Sequence, residues 1–80
     1  MRLDKFLKVS RIIKRRTVAN EACDQGRVIV NGKVARASYD VKVGDILELK
    51  FGERIAKMEV LNVVEHVGKD AASELYRVIS

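Results

Sequence analysis

Over the first stretch of the chain the apolar positions recur at helical rather than alternate spacing. Leu3, Phe6, Leu7 and Ile13 fall on one side at about 100° per residue, and Arg2, Lys5, Lys8 and Arg11 fall on the other. The pattern predicts a helix over residues 2–13. Val18, Ala19, Ala22 and Cys23 repeat the helical spacing and predict a second helix over 16–25. Gly26 follows as the left-handed residue just past its end. The two helices are expected to pack through Leu3, Phe6, Leu7, Val18 and Ala22.

After Gly26 the period drops to two. The run Arg27–Val30, then Asn31 and Gly32, then Lys33–Ala35 predicts a hairpin with a type I′ turn, because Asn-Gly tolerates positive φ at both central positions. Gly44 and Asp45 mark a further turn. Leu47, Leu49 and Phe51 alternate with Glu48 and Lys50, as in a half-buried strand. Gly52 to Arg54 turns the chain into a strand over 55–63, which residues 64–67 could prolong. Asp70 is expected to cap a short helical turn through Leu75, and Tyr76 to Ile79 to form a last strand. The fold class is α+β: two short N-terminal helices packed on a small, mainly antiparallel β-sheet. Residues 1–63 are expected to form the principal domain, with 64–80 an extension packed on the same body.

Composition narrows the chemistry. Eighty residues make one domain, without room for a separate catalytic one. Two Phe, two Tyr and no Trp disfavour a broad stacking platform for single-stranded bases. The lone Cys23 excludes an intrachain disulfide and a thiolate-rich metal site, and is expected to be an inert core thiol. His66 is the single histidine and is expected to be a surface or strand residue. No run is apolar and long enough to span a bilayer and no signal-peptide pattern appears, so a cytoplasmic location is expected.

Charge changes the picture more. The chain carries a net +5, but residues 1–36 hold ten Lys/Arg against three Asp/Glu (+7) while residues 37–80 hold six against eight (−2). The first part suits a polyanion and the second does not. Lys14, Arg15 and Arg16 crowd the start of the second helix, where cations oppose the helix dipole and cost stability. The same unpaired N–H groups suit a phosphate, which favours function over an ordinary solvated face. Arg27 and Lys33 flank the hairpin and extend the basic surface. The candidate RNA-binding residues are therefore Arg2, Lys5, Lys8, Arg11, Lys14, Arg15, Arg16, Arg27 and Lys33. Asn31 is read first as a turn residue.

These residues also carry a family pattern. RLDKFLKVSR, RTVANEACDQGRVIVNGKV, and then Ser38, Val41, Gly44 and Asp45 resemble the RNA-binding domain named after small-subunit ribosomal protein S-four, the αL RNA-binding motif. The likeness extends over about residues 1–51 and is greatest to stand-alone members acting in ribosome rescue and quality control. It implies binding to a large ribosomal subunit that still holds peptidyl-tRNA, with contacts to 23S rRNA and the tRNA. It also implies support of C-terminal tailing of the stalled chain by a tail-synthesising partner protein. By the same resemblance Arg2 and Arg16 are the leading rRNA contacts; Asp4, an acid within a basic patch, is expected to orient a neighbouring cation rather than touch RNA. Two positions depart from the pattern. Arg15 stands where the family usually has a Ser or Thr cap, so the cap moves to Thr17 or is absent; Ala22 and Cys23 replace larger aliphatics.

Other functions fit less well. No nucleophile–base set or phosphate-cradling glycine loop supports an enzyme. The motif also occurs appended to RNA-modifying enzymes, but the start at Met1 and the self-contained tail argue against a detached piece. A DNA-reading helix-turn-helix would place base-reading side chains along the second helix, which here offers Asn20, Glu21, Asp24 and Gln25. A constitutive ribosomal protein would often carry long basic extensions. No cofactor, metal or membrane is expected, and the chain is expected to be a monomer.

Overall fold

Both helices are shorter than the apolar spacing predicts, and the backbone shows why. The computed structural model describes residues 1–79. It contains α1 (Leu3–Val9), α2 (Arg16–Asp24), β1 (Val28–Val30), β2 (Lys33–Val34), β3 (Ile46–Phe51), β4 (Arg54–Val60), a 3₁₀ helix (Lys69–Leu75) and β5 (Tyr76–Val78). α1 stops at Val9 because Arg11 takes a left-handed conformation, φ 62°, with its N–H on the Lys8 carbonyl. That conformation costs an L side chain about 1–2 kcal/mol. Ile13 reaches the core from the connecting loop instead of from a helical face, its N–H bonded to the Leu7 carbonyl.

α2 begins at Arg16 with Arg15 as an extended N-cap residue whose side chain makes no capping bond. It ends as Gly26 predicts. The Gly26 N–H bonds the Cys23 carbonyl and the Arg27 N–H bonds the Ala22 carbonyl, both at 3.0 Å, which closes a Schellman motif. A Cβ on Gly26 would meet only Val34 Cγ1, at an ordinary 3.9 Å. The φ of 73°, not lack of space, is what requires glycine.

The hairpin forms where the alternation places it, with Asn31 and Gly32 at φ 51° and 84° as a type I′ turn demands. β1 also pairs with β3, giving a five-stranded antiparallel sheet in the order β2-β1-β3-β4-β5. The register sets Val28 opposite Leu49, Val30 opposite Leu47, and Leu47 opposite Met58. These side chains share the inner face with Leu3, Phe6 and Leu7 of α1, all fully buried. On the outer face Glu48 pairs with Lys57 at 3.5 Å, and Glu59 pairs with Arg77.

The helix contact differs from expectation. α2 sends Ala19 and Cys23 into the core, whereas Val18 is 46% exposed and Ala22 only half-buried. The tail differs too. β4 ends at Val60 because the next two N–H groups, of Leu61 and Asn62, turn to the Leu75 carbonyl. Residues 61–67 therefore do not prolong the strand. Gly68 precedes the 3₁₀ helix, so Asp70 lies in its first turn rather than capping it. Leu75 is buried and β5 pairs with β4. Among the described residues no helix is long and apolar enough to cross a membrane.

Candidate nucleic-acid interface

The centre of the site is a carboxylate, not a cation. Asp4 sits in the first turn of α1 with its side chain 3% exposed. Its Oδ1 accepts the Arg2 Nε–H at 3.1 Å and its Oδ2 the Arg2 Nη2–H at 3.3 Å, a two-pronged pair. Arg16 Nη2 donates to Oδ1 at 3.5 Å and Asn20 Nδ2 to Oδ2 at 3.2 Å. Burial pushes the Asp4 carboxyl up, but the bonds from Arg2, Asn20 and Arg16 and the Arg16 charge outweigh it and hold it below the ordinary carboxylate range. Both guanidiniums keep about half of their side-chain surface in solvent, 51% for Arg2 and 47% for Arg16. One buried anion thus fixes two exposed cations with donors to spare.

The chain segment after β2 completes the arrangement. Leu3 N–H bonds the Tyr39 carbonyl at 2.8 Å and Asp4 N–H the Ala37 carbonyl at 3.2 Å. Those bonds satisfy N–H groups at the start of α1 that a phosphate would otherwise seek. Asp45, itself buried, anchors the same segment. It accepts the Tyr39 hydroxyl at 2.9 Å, Asn31 Nδ2 at 3.0 Å and the Lys42 N–H at 2.9 Å. The Asn31 amide oxygen accepts the Ile46 N–H at 2.9 Å, so both ends of this side chain serve the fold.

The predicted basic residues do not form one helical stripe. Arg2 precedes α1 and Arg11 lies beyond it; of the four on the predicted stripe, Lys5 and Lys8 alone lie in α1. Lys5 is ion-paired with Glu65 of the C-terminal segment, and that ammonium lowers the Glu65 carboxyl. Lys8 and Arg11 line a small groove with Glu65 and His66. Lys14, Arg15, Arg27 and Lys33 are exposed. The structure brings Arg2 and Arg16 together on Asp4, and sets Arg2 and Asn20 in one groove of about 440 Å³ with Arg36 and Ser38.

Asn20 and Arg36 line the site but were not among the candidate RNA-binding residues. Asn20 lies four positions after Arg16, so helical neighbourhood was a usable signal. Arg36 lies in an irregular segment with no period to place it. Cys23 is buried, and burial first, then the charges of Asp4 and Asp24, push its thiol up to about 11. Among the described residues no group of His, Cys, Asp or Glu could hold a metal ion.

Comparison with known proteins identifies the family. The S4 domain model matches residues 1–47. The RQC P-site tRNA stabilizing factor of Halalkalibacterium halodurans is 59% identical over 78 residues, 98% of this chain and 89% of that protein. Its Bacillus subtilis counterpart is 49% identical over 79 residues, 99% of this chain and 92% of that protein. Among solved structures, trimeric Vibrio cholerae heat shock protein 15 superposes with a TM-score of 0.91 at 30% identity, over 100% of this chain and 82% of that one. The chain belongs to the S4 domain family and, within it, to the RQC P-site tRNA stabilizing factors.

Proposed function

We propose that this protein is a non-catalytic RNA-binding factor of ribosome-associated quality control. It docks on 23S rRNA and on the tRNA of large subunits obstructed by peptidyl-tRNA, and it supports C-terminal tailing of the stalled chain by a tail-synthesising partner protein. The observation that carries this reading is the pair of half-exposed guanidiniums, Arg2 and Arg16, held on the buried Asp4 carboxylate. Planar guanidiniums fixed in this way are pre-organised for two-pronged bonds to phosphate oxygens. The +7 charge of residues 1–36 and the name of relatives 49–59% identical to this chain support it. Lys8, Arg11, Lys14, Arg15, Arg27 and Lys33 extend the RNA surface. Lys5 joins them by exchanging its exposed partner Glu65 for a phosphate. The factor works in the cytoplasm as a monomer, with residues 64–80 as an extension packed on the RNA-binding domain.

Binding to purified large subunits tests the proposal. Subunits carrying peptidyl-tRNA should retain the protein and vacant subunits should retain much less. Retention on both alike points to a constitutive ribosomal component, and preference for duplex DNA points to a regulator. Affinity should also fall with salt, each neutralised phosphate adding about −0.7 to −0.9 to the slope of log K on log salt.

A further inference from the structure

A cleft of about 530 Å³ lies on the far side of the segment that follows β2. It is separate from the Arg2–Asp4–Arg16 cluster and shares only its dividing wall, residues 34–36 and Ser38, with the Arg2 groove. Apolar Val30, Val34 and Tyr39 line it together with Lys33, Arg36 and Ser38. Its volume falls in the range of small-ligand sites, roughly 300–1,000 Å³. We propose that this cleft accepts one unstacked base of the bound RNA, with Lys33 and Arg36 on the flanking phosphates. The proposal rests on the RNA-binding reading above and adds a second contact mode to it.

Three features favour a nucleotide as the occupant. Val34 is 64% exposed on a two-residue strand between cations, an apolar surface open to solvent. Among the described residues neither Lys33 nor Arg36 is ion-paired, so both charges remain available to phosphate. Tyr39 is already immobilised, its hydroxyl on Asp45 and its backbone N–H and carbonyl bonded to Arg36 and Leu3. A rigid aromatic wall loses little entropy on stacking, and a base stacked on an aromatic ring gains about 1–3 kcal/mol. Structured RNA supplies such bases at bulges and loops, where they are splayed from the helix.

The test compares two rRNA hairpins of equal length, one with a single bulged nucleotide and one fully paired. The wild-type protein should bind the bulged hairpin at least threefold more tightly. Val34→Asp should abolish that preference while leaving a steeply salt-dependent affinity for both hairpins and a near-normal melting temperature. Amide resonances of residues 34–39 should shift with uridine or adenosine monophosphate and not with inorganic phosphate. Equal wild-type binding to both hairpins, or shifts reproduced by phosphate alone, overturns the base cleft and leaves the RNA-binding reading standing. Absence of salt-dependent binding to either hairpin overturns both.

Discussion

Arg16, the first residue of α2, reaches the carboxylate of Asp4 twelve positions earlier in α1, and the link is an exposed cation on a buried anion at 3.5 Å. The pair is asymmetric in what it supports. Asp4 keeps Arg2, Asn20 and the Lys5 N–H when Arg16 is removed. Arg16 has no second protein carboxylate among the described residues.

Arg16→Ala should therefore change stability by less than about 0.5 kcal/mol while weakening large-subunit binding by about 1.5–3 kcal/mol, the worth of a charged hydrogen bond. Arg16→Lys should recover only part of the loss, because the charge returns without the fork. Thermal melts and subunit pelleting separate the two effects; an unfolded Arg16→Ala protein would make Arg16 a structural residue.

Asp4 contributes to the acid limb. Its folded pKa lies below the ordinary 3.8, so its contribution is present above that value and is lost as pH falls through the lowered pKa. Asp4→Asn should flatten the dependence of urea stability on pH in that window. An unchanged slope would show that other carboxylates dominate acid unfolding.

Asp45 accepts three donors from three parts of the chain. Asp45→Ala orphans all three and should cost about 2–4 kcal/mol in urea unfolding, against about 1 kcal/mol for Tyr39→Phe. The double variant should fall short of the sum, since both remove one bond.

Arg11 is strained and exposed. Arg11→Gly relieves the left-handed cost but adds unfolded-state entropy, for a net gain of up to about 1 kcal/mol. The same variant should bind RNA less tightly. A rise in melting temperature with undiminished affinity would remove Arg11 from the RNA surface.

Lys57 pairs with Glu48 on the outer face of the sheet, away from the helices. Lys57→Ala should leave RNA affinity within error and stability within about 0.5 kcal/mol. A loss comparable with that of Arg16→Ala, read in the same pelleting assay, would place the RNA surface on the sheet.

What the sequence revealed depended on whether a local rule was unopposed. Asn31-Gly32 and Gly26 occupy conformations that few other residues accept, so the hairpin and the end of α2 were legible. The end of α1 was not, because Arg11 does there what glycine usually does. Val18 and Ala19 satisfy the same helical spacing, and only the packing against α1 decides between them. The family pattern singles out Arg2 and Arg16, and an acid within a basic patch suggests that Asp4 orients a cation, but only the fold shows both arginines meeting on its one carboxylate. Asp45 was legible as a turn residue but not as the anchor of Tyr39 and Asn31, whose bonds span six and fourteen positions.

The outermost strands of the sheet, β2 and β5, are two and three residues long. An extended polypeptide adds to a sheet by pairing its backbone along an open edge, and edges this short give it little to hold. The protein is thereby protected from zipping onto unfolded polypeptide in its surroundings. The same brevity should keep it from assembling edge to edge with its own copies at high concentration.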